Sequence, residues 1–405
     1  NGDRIYRLMP TPFEKQISLL LRKSPPQIED ALQLLQDTTS PKEYPSALMR
    51  FHKQAAEALL NAMTFEDVSK HWIQSQSRPE EIMMLFPEIL PRQSFRNVLA
   101  TMSSASNIMR TLAETGHRSI TDLVTKRLTS RTSAGKRLPD KKVVDKVVRS
   151  AYECVTQILL DHRKRREETE VDSTRFSVQT LDTALLRLLV TSITLHQATL
   201  FLKTHISFDS TTQVRLSDLK RLENLVTSSS NFIDIRVADE ELRRHSRYHA
   251  LALLYWNRDK RDKALKIWQE LGNGTIREIA DNMEESNVMR DGVRETIEHL
   301  SQDFEVSRGE DTAARLILKY SEWVLLRDPL KSLSIFTVKR VKTKLFSKAV
   351  CECLEQADAV MFEQIRRSKK MDKNNASIPP MLLQRYLEFK LSDDSVEQKE
   401  EEDLS

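Results

Sequence analysis

Apolar residues recur at three- and four-residue spacing along most of the chain, which is the period of an amphipathic helix. Phe13, Ile17, Leu20 and Leu21 make the first such stripe, and Pro25 and Pro26 interrupt it. Thr11-Pro12-Phe13-Glu14 reads as its start, with Thr11 as the cap and Pro12 in the first helical position. Ile28, Ala31, Leu32, Leu34 and Leu35 mark a second helix. Leu48, Phe51, Ala55, Ala58, Leu59 and Ala62 mark a third over 45–63, and Phe65, Val68, Trp72 and Ile73 a fourth. A short helix at 79–86 ends at Pro87 and Pro91. A Ser- and Met-rich helix is expected at 95–112, then one at 143–160 carrying Val144, Val147, Val148, Ala151, Val155, Ile158 and Leu159. A strongly apolar helix opens at 178–190, and others are predicted at 214–226, 293–300, 313–326, 329–336, 346–365 and 380–391.

The clearest pattern lies at 238–271. Ala250, Leu253, Leu254 and Trp256 share one helical stripe, and after a short polar turn Ala264, Leu265, Trp268 and Leu271 share another. Small Ala residues let two antiparallel helices approach closely, with aromatics filling the groove beside them. Such a hairpin cannot bury its apolar face alone, so it implies neighbours stacked on both sides. The fold class expected is all-α: an α-solenoid of stacked antiparallel helix pairs, clathrin-repeat or tetratricopeptide-like. Residues 1–160 form its N-terminal half and 178–391 its C-terminal half. The charged run at 161–172 reads as either a solvated helix end or a linker, with 161–177 the expected hinge, and an acidic disordered tail is expected at 392–405.

Composition narrows the functions available. With 7 Gly and 13 Pro in 405 residues, tight turns and glycine-rich phosphate loops are nearly excluded. Charged residues at 30% and aromatics at 6% favour helix throughout. The formal charge of +4 is small for this length and argues against wholesale nucleic-acid binding. Cys154, Cys351 and Cys353 make no disulfide framework, which fits a reducing, cytosolic setting. No apolar run of membrane-spanning length is expected. The opening Asn1-Gly2, without an initiator Met, reads as a piece excised from a longer protein.

Candidate chemistry is sparse. His245 and His249 have a spacing that places them one helical turn apart, able to share a metal, but no third ligand accompanies them; a hydrated helix face is the favoured reading. Cys351-Glu352-Cys353 puts its sulfurs on different helix faces with no second pair nearby, and reads as core thiols. Ser133-Ala134-Gly135-Lys136-Arg137 lacks the first Gly and the closing Ser/Thr of a phosphate loop. No catalytic site, cofactor or metal is assigned. The only candidate partner-binding residues are Lys126, Arg127, Arg131, Lys136, Arg137, Lys141 and Lys142, on a basic flexible loop at 126–142. Lacking interleaved aromatics, this loop has no stacking platform for single-stranded nucleic acid. A solvated loop is the favoured reading, and contact with an anionic bilayer or acidic partner the competing one.

Several short stretches together resemble one family. Tyr6-Arg7-Leu8-Met9-Pro10 with Phe13-Glu14-Lys15-Gln16-Ile17 is similar to the join between propeller and solenoid in the TGF-β-receptor-associated and vacuolar-morphogenesis proteins. Leu85-Phe86-Pro87-Glu88-Ile89-Leu90-Pro91 is similar to another element of that family. Leu181-Asp182-Thr183-Ala184-Leu185-Leu186, the hairpin within 250–271, and Tyr320-Ser321-Glu322-Trp323-Val324-Leu325-Leu326 with Ile335-Phe336-Thr337 resemble its second half in order, and Tyr386-Leu387-Glu388 its last element. The resemblance implies the Rab-facing subunits of the CORVET and HOPS tethers, here as the solenoid without propeller or zinc element. It implies a scaffold linking a Rab GTPase-binding end to core subunits in vesicle fusion, with receptor or SNARE proteins as further candidate partners. It also implies peripheral association, from the cytoplasm, with endosome or lysosome membranes through the parent complex. The competing reading is a clathrin-like coat or cargo- or receptor-adaptor solenoid acting by protein–protein association.

Overall fold

The computed structural model describes residues 12–83, 86–90, 119–131, 140–169, 175–202, 209–278, 292–301, 310–337, 344–368 and 381–388. Among them every extended element is a helix and none is a strand, as the periodicity predicts. The chain divides into two compact units, Asn1–Leu225 with Ser230–Glu241, and Val226–Ser229 with Leu242–Ser405.

The first unit contains α1 (Phe13–Leu21), α2 (Ile28–Thr38), α3 (Tyr44–Ala62), α4 (Phe65–Gln74), α5 (Pro79–Met83), α6 (Ile120–Arg131), α7 (Lys141–Thr169) and α8 (Arg175–Leu202), with most of α9 (Asp209–Thr227) and α10 (Ile235–Arg244). Consecutive helices pack in pairs: α1 on α2, and α3 on α4. The stripe expected on α1 and α2 buries Ile17, Leu21, Ala31 and Leu35 against Phe51 and Ala55 of α3. Val68 and Trp72 of α4 are fully buried on the face that meets α7, where Val155, Ile158 and Leu159 are also fully buried. Pro12 is the N-cap of α1, at φ −49° and ψ 139°, so the helix starts one residue later than expected; Thr11 lies outside the described residues, as does the expected helix at 95–112.

The charged run, read as either a solvated helix end or a hinge, is helix as far as Thr169, where Arg163–Glu167 and Asp161–Arg165 pair at i,i+4 and Arg163 is buried. The division into units falls instead at 225–241, beyond a boundary that charge density suggested. Finally, α8 does hold a window of membrane-spanning length and hydropathy, Val178–Leu195, with mean hydropathy 1.2. In this structure 72% of that window is buried, with Leu185, Leu186, Leu188 and Leu189 fully enclosed on a helix that packs against α7.

The second unit contains α11 (Tyr248–Asn257), α12 (Arg261–Gly272), α13 (Gly292–Ser301), α14 (Glu310–Leu325), the short α15 (Pro329–Ser332) and α16 (Ser334–Thr337), and α17 (Lys344–Ser368), followed by a helical segment at 382–388. The expected hairpin is α11 with α12, and its neighbours are present: α13 and α14 both pack on α12, and α17 packs on α14. A Cβ at Gly292 would collide with the carbonyl of Trp268, so only a glycine lets the start of α13 sit this close to α12.

Scarce glycine leaves a mark on the turns. Met63, Gln76, Ser246 and Asp259 all take left-handed φ values of 52–58°, each just after a helix ends. Glycine would adopt this conformation without the steric cost of a Cβ. Gln76 is exposed, and its backbone N–H donates to the Ile73 carbonyl. Gln76→Gly is therefore expected to raise stability by about 1 kcal/mol in urea titration. Gly292→Ala is expected to lower it by about 1–3 kcal/mol through overpacking; a neutral result would show that α12 and α13 are not held at this spacing.

Candidate functional site

The basic segment predicted as a loop is only partly one. Lys126 and Arg127 lie on α6, whose inward Ile120, Leu123 and Val124 order the helix while charged side chains occupy its other faces. Lys126 pairs with Asp122 at 3.0 Å. Arg131 ends α6, and Lys136 and Arg137 lie outside the described residues. Lys141 and Lys142 occupy the exposed first turn of α7, where the Asp140 carboxylate accepts the Lys142 N–H at 3.0 Å. The seven residues are thus distributed over two helices and the interval between them.

Lys142 does, however, line a groove of about 570 Å³ in the first unit. One wall is the turn between α3 and α4, with Met63, Phe65 and Glu66; the other is the opening of α7, with Lys142, Val143, Lys146 and Val147. Lys146 carries the next basic group, which the sequence reading did not single out. Its signal was the i,i+4 spacing to Lys142, obscured by treating 126–142 as one loop.

Neither imidazole candidate is where the sequence put it. His245 lies in the turn after α10, and α11 begins only at Tyr248, so the two histidines do not share a helix. His249 is not on a hydrated face: it is 6% exposed. Its Nδ1 accepts a hydrogen bond from Trp268 Nε1 at 3.3 Å, and its backbone N–H donates to Glu278 at 2.6 Å. The break at Ser246, with φ 52°, turns His249 inward. His299 stacks on Trp268 with ring centroids 4.2 Å apart, and Trp256 meets both rings. Burial holds the His299 pKa below its ordinary value. This cluster closes the hairpin and its neighbour. Among the described residues no group of His, Cys, Asp or Glu has the arrangement of a metal site. Burial raises the pKa of the Cys154 thiol, and pushes Cys353 up to about 11, so neither is a ready nucleophile.

A second polar cluster explains one of the family-like stretches. Asp182 on α8 is fully buried and accepts the backbone N–H of Phe232 at 2.8 Å, while Thr183 accepts that of Asp234 at 3.1 Å. Arg163 and Arg166 face the same carboxylate at 3.9 Å. The Asp-Thr pair therefore fastens the connection that leads into α10.

His52 and His71, on α3 and α4, were not anticipated. Their Nδ1 atoms lie 2.8 Å apart, so one must donate and the other accept. Burial lowers both pKa values from 6.5, and His71 is lowered further by His52 and Lys70 against the opposing charge of Asp67. With folded values below the unfolded one, the unfolded chain takes up more protons once pH falls through about 6.5. Stability is full above that point and declines toward the lower folded values. His162, also lowered by burial, acts in the same direction. Unfolding of the first unit in urea is expected to become easier between about pH 7 and about pH 5, and replacing both His52 and His71 by Gln should flatten that slope. An unchanged slope would contradict the pairing.

Residues 213–325, which run from within α9 to the end of α14, match the family model for vacuolar sorting protein 39 domain 1. No curated protein and no solved structure matches the chain. The stacked hairpin with its Trp268–His249–His299 cluster thus lies wholly within a stretch similar to a vacuolar sorting domain.

Proposed function

We propose that this chain is a scaffold subunit of a vacuolar sorting tether of the CORVET or HOPS kind. In this reading it works peripherally, from the cytoplasm, on endosome or lysosome membranes. The single observation that supports it best is that the family match at 213–325 contains the stack of α11, α12, α13 and α14. Stacked hairpins offer extended faces rather than enclosed pockets, and such faces bind other proteins. The role is geometric: one end engages a Rab GTPase or its membrane, the other engages core subunits, and no bond is made or broken. The absence of turnover belongs to the proposal.

Affinity capture with the full chain against individual tether core subunits and a panel of GTP-loaded Rab proteins tests it. Retention of a core subunit is expected, with loss of that retention when Asp182→Ala frees the Phe232 connection or Gly292→Ala disturbs α13. If no core subunit is retained while the chain assembles into lattices with rising concentration, the coat reading replaces this one.

A further inference from the structure

We infer that the groove between the α3–α4 turn and the opening of α7 is a docking site for an acidic amphipathic helix of a partner protein. It lies outside the matched residues 213–325 and stands whether or not the tether assignment holds.

The argument starts from helical geometry. Lys142 and Lys146 are one turn apart on α7, and so are Val143 and Val147. Positions one turn apart lie one above the other on a helix face. The wall of the groove is therefore two adjacent stripes, one basic and one apolar. Val143 is 49% exposed, whereas the opposite wall buries Met63 and Phe65 to 7% and 2% exposure. The two walls thus face each other with apolar side chains, and Val143 stands half in water at the α7 edge.

Lys142 and Lys146 are exposed, and among the described residues neither meets a carboxylate within ion-pair distance. Lys141 and Lys142 also stand in the first turn of α7, where the helix dipole disfavours positive charge. The Asp140 cap offsets part of that cost through the Lys142 backbone N–H and not through its ammonium. A partner helix carrying acidic residues one turn apart beside an apolar stripe complements both stripes of this wall, in the helix-in-groove manner. Glu66 on the other wall sets the direction of the fit, since a partner's acidic edge is repelled there and must face α7.

The test uses the full chain and a labelled helical peptide with Leu along one face and Glu along the adjacent edge, followed by fluorescence anisotropy. Saturable binding that weakens with added salt is expected. Lys142→Glu with Lys146→Glu should lower affinity at least about fivefold. A peptide with Lys in place of Glu should bind that double variant better than it binds the native chain, a reversal that misfolding cannot produce. Val143→Ser should weaken both peptides. Equal affinity of native and double variant would overturn the proposal. So would phosphatidylserine vesicle binding that depends on both lysines while the peptide fails to bind. Self-association lost in the same variants, again without peptide binding, would assign the groove to a second copy of the chain instead.

Discussion

Everything in this structure depends on one constraint: an amphipathic helix presents an apolar stripe that only another helix can cover, and a pair still leaves a face open for the next pair. In the second unit the constraint converges on Trp268. It is fully buried on α12, stacks on His299 of α13, and its carbonyl lies where any Cβ at Gly292 would have to go. Truncating a buried side chain of this size costs about 3–5 kcal/mol, a large part of a domain's net stability. α14 joins the same stack: Trp323 rests on Gly272 and donates to Asn273 at the end of α12. Tyr320 reaches back to Asp262 at its start, and burial with that hydrogen bond raises the Tyr320 pKa to about 12.

Stacking fixes the helices, while buried polar groups fix the segments between them. A connection that leaves a helix end has backbone N–H groups with no helical partner, and hiding them unsatisfied is expensive. Asp182 and Thr183 supply acceptors for the stretch before α10, Glu278 supplies one for the start of α11, and Asp358 supplies both oxygens to the N–H groups of Leu382 and Leu383. Each carboxylate is a local device that aims the next helix. The same logic places His249 inside: its ring accepts the indole N–H that Trp268 would otherwise bury without a partner.

The fold class was legible because the 3.6-residue period is carried by many residues at once, and no single error disturbs it. Phe51, Ala55, Leu59, Val68 and Trp72 are buried as their spacing predicts, and the hairpin of α11 and α12 closes around Ala264, Leu265 and Trp268 as expected. What failed was local and depended on side chains far apart in sequence. Charge suggested a hinge at 161–177, yet intrahelical pairing and the burial of Arg163 keep α7 continuous to Thr169. His249 read as a surface group because its partner, Trp268, lies on the next helix. The His52–His71 contact joins two helices and has no signature along the chain. Of the candidate site, Lys142 was visible, whereas Lys146 and the apolar stripe beside it belong to a groove that exists only once α7 lies against the α3–α4 turn.

The scaffold role proposed above would require fixed spacing, and spacing rests on the mutual support of neighbouring helices. The central claim is that α11 and α12 are stable only because α13 and α14 cover them. Hydrogen exchange by mass spectrometry tests this most directly, comparing the full chain with one ending after residue 278. The account predicts that amides of 248–272 exchange slowly in the full chain and lose that protection in the shortened one. Undiminished protection in the shortened chain would show that the hairpin stands alone, and would contradict the account.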